Sequence, residues 1–250
     1  MPLIVLDPGH GQDTPGKRSP NGLLREYEFN GDVAARARAI LSRAGVEAIL
    51  TRPATLTAKD VPLADRVALA NRKNAKLFVS IHANAHGNGR EWTAARGYEV
   101  YIHAPGGVRE DLARRLVKWA KNLLVPLDPD FPIRGIKTAN FYVLRYTRMP
   151  AVLIEHAFMT NEQDYNLLRS DAFRQKAAEH IARAVCEQLG IRYPEPKKPE
   201  PKPTPKPAAK DDGKIYRVVI GSFEERENAE RLVEKAKKDG YPAWILVADK

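Results

Sequence analysis

The sequence predicts an α/β domain built around a central sheet, followed by an extended spacer and a small strand–helix–strand module. Three observations predict it. Short apolar runs alternate with amphipathic helical patterns over the first 190 or so residues, the pattern of a sheet layered between helices. A proline- and lysine-rich stretch from Pro194 to Lys210 then interrupts all core-forming sequence. Beyond it, one further strand, helix and strand pattern occupies the last 38 residues, 213–250.

Six runs in the first part read as strands: Leu3–Leu6, Ala48–Leu50, Leu77–Ile81, Tyr98–Ile102, Phe141–Leu144 and Ala151–Ile154. Each is short and rich in apolar and β-branched residues. Helical spacing brings Phe29, Val33, Ala37, Ile40 and Leu41 onto one face, and Gly45 supplies a stop. A second helix carries Leu112, Leu116, Trp119 and Leu123. A third starts near Asp171 as its N-cap and carries Phe173, Ala177, Ile181 and Val185.

Seven prolines between 194 and 207 alternate with lysine and glutamate, a composition that favours extended polyproline II. At ~3.1 Å per residue such a spacer reaches roughly 50 Å. The domain boundaries read from sequence are therefore 1–193, a linker over 194–212 and a module over 213–250. In that module Ile215–Ile220 reads as a strand, Arg226–Lys238 as a helix and Ala243–Val247 as a second strand, which makes one βαβ unit, too small for a robust core by itself.

Composition narrows the class. The chain has 250 residues, 43% hydrophobic and 29% charged, with no apolar run near the roughly 18 residues that span a bilayer. Met1-Pro2 leads directly into Leu3–Leu6 without a basic segment or cleavage site, so the expectation is synthesis in the cytoplasm without a signal peptide and action after release. The lone cysteine, Cys186, excludes an intrachain disulfide and reads as a small core residue. Of the net charge of +10, +8 falls on residues 1–193, which suits an anionic partner. Nucleic acid is set aside because no basic motif interleaved with aromatics and no readout helix is present.

The chemistry concentrates at the ends of three apolar runs. Leu3–Leu6 leads into Asp7-Pro8-Gly9-His10, Leu77–Ile81 ends at His82, and Ala151–Ile154 ends at Glu155. Ligand sites of open α/β sheets form beyond the carboxyl ends of strands. Glu26, at the start of the first helix, is a fourth candidate. Two imidazoles and one carboxylate are a common catalytic zinc set, and another carboxylate beside it serves as a general base. Spacing alone does not say which glutamate is ligand and which is base. Singly, each residue has a simpler reading: a hydrogen-bonded surface histidine, an acid in a first helical turn, or a partner for an arginine.

The blocks Ile4–Gly11, Leu24-Arg25-Glu26 with Asn30, Leu63–Arg66, Ala70-Asn71, Ser80–Ala85, and Met149–Glu155 with Met159-Thr160-Asn161 occur in order over residues 3–190. Together they resemble the zinc N-acetylmuramoyl-L-alanine amidases of the amidase-3 family. The resemblance implies a twisted, mostly parallel six-stranded sheet flanked by helices. It also implies one zinc ion bound by His10, Glu26 and His82, with Glu155 as the catalytic carboxylate. The implied reaction cleaves the amide between N-acetylmuramic acid and L-alanine in peptidoglycan. A zinc peptidase acting on another wall bond and a wall-anchoring protein without catalysis are the rival readings. His156 departs from the expected small or apolar residue after the catalytic glutamate and reads as a packing residue. His86 and His103 match no motif position, and His180 reads as a surface or satisfied histidine.

The segment Tyr216–Phe223, with Asn228-Ala229-Glu230 and Gly240–Ala243, is similar to the first half of a SPOR domain, a peptidoglycan-binding module. Because only a half is present in this reading, the expectation is a homodimer formed through residues 213–250. The combination fits either a phage endolysin or a host autolysin of sporulation.

Overall fold

The computed structural model describes residues 1–195, 223, 225–238 and 243–247. The chain divides into two compact units, Met1–Pro196 and Lys197–Lys250. The first contains six strands: β1 (Leu3–Pro8), β2 (Glu47–Leu50), β3 (Phe78–Asn84), β4 (Tyr98–Ile102), β5 (Ile133–Thr138) and β6 (Ala151–Phe158). They form one sheet in the order β2-β1-β3-β6-β4-β5. Every neighbouring pair is parallel except β4 and β6, which run antiparallel. The helices of this unit are α1 (Glu26–Arg43), α2 (Leu63–Arg72), α3 (Gly107–Leu123), α4 (Tyr142–Tyr146), α5 (Glu162–Arg169) and α6 (Asp171–Leu189). The mixed but mostly parallel six-stranded sheet flanked by helices is the fold class expected from the sequence.

The alternation of side chains along each strand separates two cores. Ile4, Leu6, Val79, Ile81, Val152, Ile154, Val100 and Ile102 face a large core that contains Phe29 and Val33 of α1, Leu112 and Leu116 of α3 and Phe173 and Ile181 of α6. Val5, Phe78, Ala151 and Leu153 face a smaller one, covered by Val67 and Ala70 of α2 and Val143 and Leu144 of α4, with Ala75 and Met149 beside them. Burying each large apolar side chain contributes about 1.5–3 kcal/mol, so the heavily covered face anchors the sheet. The lightly covered face leaves room for a cleft.

Local signals end the helices where chemistry requires it. After α1 the chain turns through Gly45 at φ +76, and Val46 N–H returns to the Leu41 carbonyl at 3.0 Å, closing the helix in a Schellman-type turn. The N-cap of α6 is Ser170, which accepts from Phe173 N–H, one residue before the expected Asp171. The Asp171 carboxylate instead takes Arg36 Nη2 of α1 at 2.6 Å.

Three further expectations are corrected. Phe141–Leu144 is not a strand; its apolar residues open α4, where Val143 and Leu144 pack on the smaller core. The missing strand is β5, an edge strand whose Arg134 and Lys137 both bind Glu99 of β4. Charges paired within the sheet disguised it, because they interrupt the apolar run that reading by hydropathy requires. His82 and Glu155 also lie inside β3 and β6 rather than at their ends. The ladder runs on because β3 keeps pairing with β6 as far as Asn84 opposite Phe158, while β4 on the other side opposes Glu99 to Glu155.

In the second unit, α7 (Arg226–Lys238) forms where helical spacing placed it. It half-buries Ala229, Leu232, Val233 and Ala236. The expected strand Ile215–Ile220 and most of the 194–212 linker lie outside the described residues. Ala243–Val247, expected as a strand, has no ladder partner among the described residues.

His156 and His180 are fully buried on the heavily covered face. The His180 ring packs 5.2 Å from that of His156 and 5.4 Å from that of Tyr98. His180 Nε2 lies 3.1 Å from the Tyr98 hydroxyl, so His180 is a satisfied core residue and not a surface one. Burial pushes His156 down to about 4. Burial, and then repulsion from His156, holds His180 well below its ordinary value. Both therefore enter the fold neutral. Above about pH 6.5 this costs nothing; as pH falls toward 4 the unfolded chain binds protons that the native chain refuses, and stability drops. In chelator-containing buffer, urea unfolding at pH 5 should show a stability about 2 kcal/mol or more below that at pH 7.5. Equal stability at the two pH values would show that these rings are protonated in the native core.

Candidate metal centre and catalytic cleft

The site is built on the lightly covered face. Asp7 of β1, Ser80 and His82 of β3, Glu155 of β6 and Glu99 of β4 share the parity of Val5, Phe78, Leu153 and Tyr101. They lie toward one end of the sheet, where α2 and α4 leave a cleft of about 580 Å³. Its lining includes His10, Glu26, His82 and Glu155.

His10, Glu26 and His82 converge, with one ligand atom from each lying within 4.8 Å of the others. His10 Nε2 is 3.2 Å from Glu26 Oε2, and His82 Nδ1 is 2.9 Å from Glu26 Oε1. The two rings meet edge to face with centroids 5.1 Å apart. Glu26 is buried, and burial alone would raise its carboxyl; hydrogen bonds and positive charge from His10 and His82 instead hold it well below the ordinary carboxylate range. Donor atoms around a tetrahedral ion with bonds near 2.0–2.1 Å sit roughly 3.4 Å apart. The two imidazoles and the carboxylate therefore fit a divalent cation in both chemistry and spacing.

The loop carrying His10 is fixed from below. His10 adopts a left-handed backbone at φ +59, unusual for a residue with a side chain. Gly9 precedes it, and a Cβ there would stand 2.1 Å from His82 Cε1. The backbone of the His10 loop thus lies directly against the His82 ring. Arg52, buried, donates to the carbonyls of Pro8 at 3.1 Å, Gly9 at 3.3 Å and Tyr27 at 2.8 Å. Burial, then the neighbouring Arg66 charge, pulls its guanidinium down to about 10. Asn30 donates to the Gly9 carbonyl at 3.1 Å and to Glu26 Oε1 at 3.4 Å.

A second buried group sits beneath the same loop. Asp7 accepts from Thr51 at 2.5 Å, Ser80 at 2.6 Å and Arg66 at 2.6 Å. Burial alone would raise Asp7, but the Arg66 charge and these hydrogen bonds keep it below its ordinary value. Arg66 also donates to the Pro8 carbonyl at 2.8 Å and to Asp60 at 2.7 Å.

Glu155 differs from Glu26 in every respect that matters. It is within the cleft, its Oε2 is buried, and that atom has no hydrogen-bond partner among the described residues. Burial pushes its carboxyl well up, the negative charges of Glu26 and Glu99 add to this, and Lys17 opposes it. Glu99, its neighbour across β4, is the reverse case. It accepts from Arg134 at 2.6 Å, Lys137 at 2.5 Å, Tyr101 at 2.7 Å and Asn84 at 2.8 Å. Burial alone would raise Glu99, yet these bonds hold it below the usual value. Environment thus separates two adjacent carboxylates, one kept ionised and one pushed toward neutrality.

All four sequence-derived site residues therefore line one cleft, three of them in mutual contact range and Glu155 on the adjoining strand. His156 points to the other side of the sheet, where its ring packs 5.3 Å from Phe29 and Nδ1 lies 3.1 Å from the His82 carbonyl. Sequence reading missed Glu99, Arg52 and Lys17, and it quoted Arg66 only within the block Leu63–Arg66, without a role. Glu99 was detectable as the single acid inside the apolar run Tyr98–Ile102. Arg52 had no signal, because it binds backbone carbonyls, those of Pro8, Gly9 and Tyr27 being distant in sequence.

Comparison with known proteins decides the family. A family model for N-acetylmuramoyl-L-alanine amidases matches residues 4–187, nearly three-quarters of the chain. The chain belongs to the N-acetylmuramoyl-L-alanine amidase family. The amidase CwlM of Bacillus licheniformis is 32% identical over 250 residues, covering 100% of this chain and 86% of that protein. A sporulation-specific N-acetylmuramoyl-L-alanine amidase of Bacillus subtilis strain 168 is 31% identical, again over 100% of this chain and 86% of its own length. Among solved structures, the catalytic domain of the amidase CwlV from Bacillus (Paenibacillus) polymyxa var. colistinus superposes with a TM-score of 0.66 at 30% identity. That match covers 77% of this chain and 100% of the other. A SPOR domain model matches residues 172–247; its start overlies α6, whose Phe173, Ala177 and Ile181 are core residues of the amidase unit.

The approach of Gly9 to His82 gives a direct test of the metal centre. Gly9→Ala should force His82 aside and weaken zinc affinity, measured by competition with a chromophoric chelator, by 10-fold or more. Far-UV circular dichroism should stay unchanged. Unaltered affinity in the variant would show that the ring and the loop are not in contact in solution.

Proposed function

We propose that this amidase hydrolyses the bond between the lactyl group of N-acetylmuramic acid and L-alanine in peptidoglycan. His10, Glu26 and His82 hold one zinc ion, and Glu155 is the catalytic carboxylate. The observation that carries this reading is the convergence of two imidazoles and a buried carboxylate beside a second carboxyl with no partner, inside a cleft of the amidase fold.

A zinc ion bound there polarises the amide carbonyl and acidifies water. The chain's own residues do the rest. Glu26 presents its carboxylate between the two imidazoles and fixes their orientation. Glu155 takes the proton of the attacking water and returns it to the leaving nitrogen of L-alanine, the transfer that lets the C–N bond break. Burial and the charges of Glu26 and Glu99 raise its carboxyl and so favour its holding the proton between the two transfers. Arg52, Asn30 and Arg66 hold the His10 loop in place so that nothing in the ligand set has to move.

The C-terminal region, matched by the SPOR model, is read as a peptidoglycan-binding module that keeps the amidase on its insoluble substrate. The substrate lies outside the cell membrane, so this reading places the enzyme's action there.

Digestion of purified peptidoglycan followed by mass spectrometry should reveal new L-alanine amino termini on the stem peptides. New termini at any other residue would instead make the enzyme a peptidase. Glu155→Gln should retain its zinc by elemental analysis while losing at least 100-fold in turnover, the usual size of a general-base contribution. His82→Ala should lose metal and turnover together. A Glu155→Gln protein of near-normal rate would show that the proton is carried by another group.

A further inference from the structure

The cleft has two chemically different rims. On the side of α2 and α4, its lining includes Leu63, Phe141, Tyr142 and Val143. Phe141 and Tyr142 are each 40% exposed and Leu63 is 53% exposed. Phe141 is propped from behind by Tyr101, with ring centroids 5.2 Å apart. An exposed aromatic shelf of this kind suits the apolar face of a sugar ring.

On the side of α1, the rim is the β1–α1 loop, and there it carries Lys17. The Lys17 carbonyl accepts from Glu26 N–H at 2.9 Å, which ties the residue to the start of α1 beside the metal centre. Its backbone is left-handed at φ +42, a conformation that costs a residue with a side chain and persists only where the surroundings hold it. The side chain is exposed and makes no hydrogen bond or ion pair among the described residues. The other cation in the cleft lining, Arg66, is fully committed to Asp7, Asp60 and backbone carbonyls. Lys17 is thus the cation of the cleft left available for a substrate, and its charge is felt at Glu155.

We propose that Lys17 is a specificity-determining residue that binds a carboxylate of the peptide stem on the far side of the scissile amide, while the sugar lies on the Phe141–Tyr142 shelf. This inference rests on the amidase reading above and adds the orientation of the substrate to it. A peptide stem is acidic and flexible, and a point charge on a long side chain suits a carboxylate whose position varies. The residues that line the cleft on the shelf side, Leu63, Phe141, Tyr142 and Val143, include no cation, so the reverse orientation would set the acid against apolar side chains and leave the ammonium idle.

The test uses the full-length, zinc-loaded enzyme and two soluble substrates, muramoyl-L-alanyl-D-glutamate and muramoyl-L-alanyl-D-isoglutamine, which differ only in a carboxylate replaced by its amide. The wild-type enzyme should favour the acid by about tenfold in kcat/KM, mostly through KM, the size of one charge-assisted hydrogen bond. In Lys17→Met that ratio should collapse to near one, and in Lys17→Arg it should be largely kept. A wild-type ratio near one, or a Lys17→Met ratio equal to the wild-type ratio, would overturn the assignment while leaving the amidase reading intact. Release of no free L-alanine amino terminus from either compound or from whole peptidoglycan would overturn the amidase reading, and this one with it.

Discussion

A carboxylate buried between two imidazoles is the constraint on which this structure depends. Removing an ionised carboxyl from water costs several kcal/mol unless positive charge and hydrogen bonds replace the lost solvent. Glu26 has both from His10 and His82, and a further N–H from Ala83 at 3.3 Å. The three residues come from a loop, a helix start and a strand, so the arrangement exists only when β1, α1 and β3 are docked together. Docking is in turn secured by the larger core, in which Phe29 and Val33 of α1 pack against Leu6 and Ile81 of the sheet.

The uneven covering of the sheet explains why the cleft lies where it does. One face is closed by three long helices, and the buried His156 and His180 belong to it. The other is covered by two short helices, so of the polar residues of that parity His82 and Glu155 reach a cleft, while Asp7, Ser80 and Glu99 stay buried and are held by hydrogen bonds. A one-residue slip of β3 or β6 would carry His82 or Glu155 into the hydrophobic side. The same pairing that fixes strand register therefore fixes how His82 and Glu155 enter the cleft. The antiparallel β4 sets the Glu99 carboxylate beside Glu155, and the fourfold hydrogen bonding of Glu99 lets that charge persist next to a carboxyl it helps to push up.

Much of this was legible in the amino-acid order, and the reasons are physical. His10, His82 and Glu155 announced themselves because each interrupts or follows a run of buried apolar residues, where a polar side chain needs a purpose. Glu26 was visible from its place in a first helical turn. The edge strand β5 was not legible, since Arg134 and Lys137 look solvent-directed until Glu99 is seen between them. Nor was α4, whose Phe141–Leu144 run has the composition of a strand but packs as a single short helical stretch. Arg52 and Arg66 act on the carbonyls of Pro8 and Gly9, contacts that no periodicity records. Left-handed backbone at His10 and Lys17 is likewise a property of the folded loop, and neither residue type suggests it.

The amidase family and the convergence of His10, Glu26 and His82 point to the same candidate cation site. X-ray absorption spectroscopy of the zinc-loaded protein addresses it most directly. The account predicts a first coordination sphere of two imidazole nitrogens and light oxygen donors at about 2.0–2.2 Å, with the signature of one imidazole lost in His10→Ala. A sphere lacking imidazole scattering, or one unchanged in that variant, would contradict it.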